Sequence, residues 1–428
     1  MSDEATSGAQ PTVTVRMADA GDLYMSWRWV SDAASPGVAM LPGADIDAAV
    51  GRLAAALPDP AHPGGLERAL TTGPFADRDS EYDLARALSR ALLPQGLGMQ
   101  LHDLLVRGIR PRIRLQPSPR VAQVPWEIIA PDPTLRLADI ADIGLLAPAS
   151  IVGAPGRTAR TWAADRALPV VAVLDPRVPG FRADSELGSV LGRMTAAAAL
   201  TGRISEYVAQ QRLRPEVDDP LDAFRRTDLD RSRLGAMLRA GAGRLLYVGH
   251  VTAGLPESGL SENAELHLAC TADSTGFARP LRAHRPLSAK DLLLGTHTLD
   301  AEPVAGPRLW PIPSRVALIA CESGGDLRFT EALGLVAAMI HGGAELVTAT
   351  RWPLPTDLAF QRFAGTTGAT PLQHLICAID AAHEQPDPIA ALANWQRERL
   401  TAWRETGAVE HSPLLWAAFA TVDAGIEH

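Results

Sequence analysis

Four short, almost wholly apolar stretches restrict this chain more than anything else in it: LPVVAVLDP (168–176), RLLYVGH (244–250), RVALIAC (315–321) and AELVTAT (344–350). A strand with one wet face alternates polar and apolar residues; these do not, so both of their faces must be covered. Between and around them lie segments of helical period. RSRLGAMLRA (231–240) is ended by GAG, FTEALGLVAAMIHGG (329–343) is stopped by paired glycines, and helices are expected over most of 357–405. SELGSVLGRMTAAAAL (185–200) places Leu187, Val190, Leu191 and Met194 at helical spacing and is expected to be a further helix. The alternation predicts an α/β fold, a mainly parallel sheet flanked by helices.

A smaller α/β half is expected ahead of it. TVTVRM (12–17), LYMSWRWV (23–30) and RPRIRLQPS (110–118) alternate as half-buried strands do, and IDAAVGRLAAAL (46–57) and YDLARALSRALLP (82–94) carry helical spacing. The organisation read from these signals is a short disordered tail over 1–11, an N-terminal α/β region over 12–152, a Gly-, Ala- and Arg-rich linker over 153–167, and the main domain over 168–428. No repeat of 20–50 residues is visible.

Composition narrows the function classes. A formal charge of -9 argues against a general nucleic-acid or membrane-surface binder. Lys290 is the sole lysine among 40 basic residues, so arginine abundance reflects compositional bias more than phosphate recognition. No stretch of about 18 apolar residues and no basic-then-apolar leader is present, which reads as a cytoplasmic protein. Cys270, Cys321 and Cys377 are odd in number, far apart and without CxxC spacing, so neither a disulfide framework nor a metal site is expected. Motifs for a phosphate loop, a zinc helix, a serine elbow and a dinucleotide fold are absent.

In open α/β sheets the functional groups gather at the carboxyl ends of strands. His250 ends RLLYVGH and Cys321 ends RVALIAC, just before the turn ESGG. On neighbouring parallel strands their 71-residue separation collapses to a strand spacing. A thiol needs deprotonation to become a nucleophile, and an imidazole beside it supplies that base, so the pair suffices for acyl transfer. Each residue taken alone also fits an ordinary role: the cysteine as a small buried hydrophobe, the histidine as a loop residue bonded to backbone.

YVGH, LSAKDLL, VALIACESGG, EALGLVAAMIHGGAELVTATRWPLPTD and HSPLLWAAF, in that order, resemble the successive signatures of the CHAT-domain family, cysteine peptidases of the caspase, separase and gingipain clan. VPWEIIAP (124–131) resembles the Pro-Trp-Glu element ahead of the family's catalytic half. The resemblance covers about residues 80–423. It implies a caspase-like fold, His250 as general base and acid, Cys321 as nucleophile, protein substrates, no metal or other cofactor, and latency relieved by an activating protein partner in bacterial stress or antiviral-defence circuits. The sequence departs from the family at Val251, where a glycine commonly supplies an oxyanion-binding N–H; a valine retains that N–H.

Asp175, Glu322 and Trp352 are candidates for the substrate pocket because each borders a strand end. Cys270 and Cys377 are expected to be structural, Trp126 and Glu127 to tie the two halves together, Ser288 to cap a helix with Asp291 three residues on, and Asp357 to cap another. Two further readings stand beside a cytoplasmic peptidase. One is a catalytically silent caspase-like scaffold, motivated by Val251; the other is a nucleotide-binding regulator, which lacks its motif.

Overall fold

The computed structural model describes residues 10–59, 62–254, 258–321, 323–329 and 333–425; the first nine residues of the expected tail and Glu322 lie outside them. In chain order the strands are β1 (Thr12–Ala20), β2 (Asp22–Trp29), β3 (Asp32–Leu41), β4 (Arg112–Gln116), β5 (Asp142–Leu146), β6 (Val170–Leu174) and β7 (Leu213–Arg214). They continue with β8 (Arg244–Val248), β9 (Val251–Thr252), β10 (Glu265–Leu266), β11 (Leu287–Ser288), β12 (Arg315–Ile319), β13 (Leu346–Thr350) and β14 (Phe419–Asp423).

The four apolar stretches become β6, β8, β12 and β13, and every residue of each is buried. They are inner strands of an eleven-stranded sheet in the order β3-β2-β1-β4-β5-β14-β13-β12-β8-β6-β7. Among the described residues its pairings are parallel except β1–β2, β2–β3 and β13–β14. A separate small antiparallel sheet, β11-β10-β9, stands beside the carboxyl end of β8. Helices cover the large sheet; Pro371–His383 lays Leu375, Ile376 and Ile379 onto it, fully buried.

The two halves expected from sequence share this sheet, because β14 slots between β5 and β13. Residues 153–167 are fastened to the main half rather than loose. Arg157 donates to the carbonyls of Ile340 (2.8 Å) and Ala344 (2.9 Å), and the Trp162 N–H donates to Glu345 (3.0 Å). Farther on, the buried Glu127 carboxylate takes both arms of Arg351 at 2.9 and 3.0 Å, which is the tie expected of it.

Three local expectations are corrected. Residues 185–198 are turns and bends, and the helix begins only at Ala199 (Ala199–Ala209). The main-chain N–H groups of Val190 and Leu191 bond instead to the buried carboxylate of Asp175, and a helix would have consumed them. Of the helix expected over 329–343, residues 330–332 lie outside the described residues, and the helix described is Leu335–His341. Asp357 is not the cap of its helix: Thr356 accepts from the Ala359 N–H, while Asp357 accepts from the Leu372 N–H at 2.7 Å and so ties two helices together. The Ser288–Asp291 capping box is present as expected.

Candidate active site

β6, β8 and β12 are in register and end level: Leu174 pairs with Val248, and Val248 with Ile319. The ladder runs one step further, with the Asp175 N–H on the Val248 carbonyl (2.6 Å) and the Gly249 N–H on the Ile319 carbonyl (3.3 Å). His250 and Cys321 are each two residues past the pair Val248–Ile319, on neighbouring strands about 4.8 Å apart. Both are half-buried. The sheet therefore brings together the two residues singled out from sequence.

Each is set by its own turn. Before the histidine, Gly249 passes so close to the Tyr247 hydroxyl that a Cβ would stand 2.8 Å from it, so only glycine fits. That hydroxyl lies 2.6 Å from the His250 carbonyl and 2.9 Å from that of His267, and bonds one of them at a time with its single proton. After the cysteine, Ser323 clamps the turn to the end of β13. Its hydroxyl donates to the Leu318 carbonyl (2.6 Å) and accepts from the Thr350 N–H (3.0 Å), and its N–H meets the Thr350 hydroxyl at 3.1 Å. Thr350 in turn donates to the Ala320 carbonyl, immediately before Cys321.

The imidazole of His250 points its Nε2 at the carbonyl oxygen of Gly188, 3.0 Å away. A carbonyl only accepts, so Nε2 carries the hydrogen and Nδ1 of the neutral ring holds the lone pair. Burial lowers the pKa of His250; the Gly188 bond and the charge of Asp175 oppose this, and Arg225 adds to it. The ring is thus a neutral base at neutral pH.

The Gly188 carbonyl has its own supports. Arg225 also donates to it (3.1 Å) and to Asp175 Oδ1 (3.1 Å). Asp175, in the left-handed region at φ 50° and 1% exposed, accepts from the Ser189 hydroxyl (2.5 Å) and from the N–H groups of Val190 (3.2 Å) and Leu191 (3.3 Å). Gly188 itself must be glycine, since a Cβ would meet the Ala183 carbonyl oxygen at 2.2 Å. Every Asp175 contact named here turns inward: the residue fixes the loop that orients His250 and presents no carboxylate to a pocket.

Trp352 also turns inward. It is fully buried, donates from Nε1 to the Leu414 carbonyl (3.1 Å) and stacks on Phe75 with ring centroids 6.2 Å apart. It belongs to the core behind β13. Glu322, the third pocket candidate, lies outside the described residues. Cys270 is buried and its sulfur accepts from the Arg231 N–H at 3.3 Å; burial raises its pKa and, more strongly, that of Cys377, to about 11. Neither is set up as a thiolate. Gly188, Arg225, Ser323 and Thr350 went unnoticed in the sequence, and a main-chain carbonyl such as that of Gly188 leaves no residue-type signal at all.

Val251 is buried in β9 and pairs with Leu266 of β10. The His267 N–H bonds the His250 carbonyl at 3.1 Å. Hydrogen-bonded and non-bonded pairs alternate in an antiparallel ladder, so Val251–Leu266 is a non-bonded pair and the Val251 N–H faces away from β10. β9 is the edge strand of its sheet, so this N–H looks outward beside His250.

With this geometry in place, a comparison with known families finds that a CHAT-domain model matches residues 82–424. The chain belongs to the CHAT-domain family. No curated protein matches this chain. Among solved structures it is similar to two crystal structures of the Saccharomyces cerevisiae separase–securin complex, with TM-scores of 0.47 and 0.43 and identities of 9% and 10%. The matches cover 97% and 96% of this chain but 30% of the matched chain in both. Among the described residues no cluster of three His, Cys, Asp or Glu side chains could hold a metal, and no helix is long and apolar enough to cross a membrane.

Proposed function

We propose that this CHAT domain is a cysteine endopeptidase. Cys321 is the nucleophile: its thiol proton passes to Nδ1 of His250 as sulfur adds to the scissile carbonyl, and His250 returns that proton to the leaving amine. Water, deprotonated by the same imidazole, then splits the thioester and frees the cysteine. The oxyanion formed in each step is received by the Val251 N–H, which faces outward from the edge of β9, and by the Cys321 N–H. No step calls on a metal or another cofactor. The observation that carries the reading is the pairing of level strand ends with a neutral imidazole whose outer nitrogen is tied to Gly188.

Two aspects of substrate choice follow. The strand position two before the nucleophile is Ile319, buried and uncharged, and the Asp175 carboxylate is engaged internally. The residue before the cut is therefore apolar or small rather than basic. The proposed setting is cytoplasmic, in a bacterial stress or defence pathway in which a partner protein relieves latency.

Replacement of the family's glycine by Val251 favours one other reading, a silent scaffold. A peptide probe with a thiol-reactive carbonyl group separates the two. Stoichiometric labelling of Cys321, abolished in His250→Ala, supports the peptidase; no labelling with or without candidate partners supports the scaffold.

A further inference from the structure

Behind the proposed oxyanion strand lies a chain of side chains that the reaction itself does not use. His267 and His284 are 1% and 0% exposed, with ring centroids 5.2 Å apart. His284 Nδ1 stands 2.9 Å from the carbonyl oxygen of Cys270, His284 Nε2 is 3.1 Å from His267 Nδ1, and His267 Nε2 is 2.9 Å from the Thr252 hydroxyl.

One end of this chain fixes every hydrogen in it. The Cys270 carbonyl can only accept, so His284 Nδ1 carries a proton and its Nε2, in the neutral ring, is an acceptor. His267 Nδ1 must then be the donor to it, which leaves His267 Nε2 with the lone pair, and the Thr252 hydroxyl donates into that lone pair. With the His267 tautomer kept, a second proton on His284 would set its Nε2–H against the His267 Nδ1–H. Burial holds both rings neutral, pushing His267 down to about 3 and lowering His284 as well.

The far end of the chain is rigid. The Cys270 sulfur accepts from the first N–H of the helix Arg231–Arg239, and the Arg231 guanidinium bonds the Pro286 carbonyl at 2.6 Å, two residues from His284. The near end meets the site. His267 grips β9 twice, with its own N–H on the His250 carbonyl and its ring on the Thr252 hydroxyl, and these two residues flank Val251.

We propose that His267, backed by His284, is a positioning residue that clasps β9 and so holds the Val251 N–H and the His250 backbone where acyl transfer needs them. The inference rests on the peptidase reading for its catalytic consequence, but the clasp is a property of the fold and is measurable without turnover. Among the described residues β9 has two residues and one partner strand, so the two His267 contacts carry much of its restraint. Oxyanion donors lose their effect when displaced by a fraction of an ångström, because their contribution depends on preorganisation.

Thr252 gives the cleanest test, since it is exposed and its replacement leaves the buried rings in place. Thr252→Val keeps the shape of the side chain and removes the hydroxyl; Thr252→Ser restores it. Peptide turnover, alkylation of Cys321 by iodoacetamide, and hydrogen exchange of the His267 amide are measured for both variants and the wild type. The expected result for Thr252→Val is a fall in kcat of about tenfold with KM nearly unchanged, wild-type alkylation, which forms no oxyanion, and faster exchange at His267. Thr252→Ser should return all three to near wild type. Wild-type kcat in Thr252→Val overturns the positioning role, even if exchange is faster. If the wild type shows no cleavage that Cys321→Ala removes, the peptidase reading itself has failed; exchange at His267 then decides the clasp alone, and unchanged protection in Thr252→Val overturns it.

Discussion

Asp175→Asn isolates the support of His250 better than any other single change. Asparagine tolerates the left-handed backbone at this position, so the substitution alters the acceptor set and the charge but not the chain path. In the native protein Oδ1 takes the Val190 N–H and Arg225, and Oδ2 takes the Ser189 hydroxyl and the Leu191 N–H. Whichever way the amide turns, its NH2 replaces one oxygen and confronts donors. The variant loses two bonds to a buried charge, each commonly contributing about 1.5–3 kcal/mol, and leaves Arg225 without its ion pair. A destabilisation of about 3–5 kcal/mol is expected, the range found when one partner of a buried pair is removed. The loop carrying Gly188 is then no longer pinned, and the His250 ring loses its fixed tautomer; by analogy with the outer partners of metal-bound histidines, a fall of about 10–100-fold in activity is expected. Urea unfolding and peptide turnover of the purified variant measure both quantities. A loss below about 1 kcal/mol together with wild-type turnover would refute the claim that Asp175 holds the loop for His250.

Val251→Gly should keep turnover within about tenfold, whereas Val251→Pro, which removes the N–H, should lower it by two to three orders of magnitude while iodoacetamide still alkylates Cys321; normal turnover in the proline variant would rule out that donor. Ser323→Ala removes the clamp between the cysteine turn and Thr350 and should lower kcat by about tenfold or more with wild-type KM, read from initial rates across substrate concentration. Because burial depresses the pKa of His250, the acid limb of kcat/KM should have its midpoint below 6.5, and Asp175→Asn, by removing a charge that favours the protonated ring, should move it lower still. The same depression makes the fold acid-sensitive: below pH 6.5 the unfolded chain takes up a proton that the folded ring resists, so stability falls as pH falls.

The parts legible in the sequence were those decided by burial. Continuous apolar runs identified β6, β8, β12 and β13 because strands covered on both faces admit nothing else, and the same runs delivered His250 and Cys321 to one rim. What stayed hidden was decided by polar contacts made at a distance. Leu187, Val190, Leu191 and Met194 have helical spacing, yet the Asp175 carboxylate, some fifteen residues earlier in the chain, captures the backbone there. Trp352 follows a strand end as a cleft residue would, but the Leu414 carbonyl and Phe75 draw it inward, and both come from distant segments. The common sheet of the two halves depends on β14, whose place between β5 and β13 no local pattern announces. The tautomer of His250 rests on a main-chain carbonyl, and the His267–His284 chain on a contact between side chains 17 residues apart that no local pattern announces.

Cys321 and His250 are proposed to cut proteins together. Proteome-wide profiling of new N-termini tests it most directly, in cells expressing the wild type, Cys321→Ala or His250→Ala at equal levels and with the native partners of the chain present. The expected result is a set of termini present only with the wild type, following apolar or small residues, and lost in both variants alike because the two residues act as one unit. Identical termini in the wild type and Cys321→Ala would contradict it.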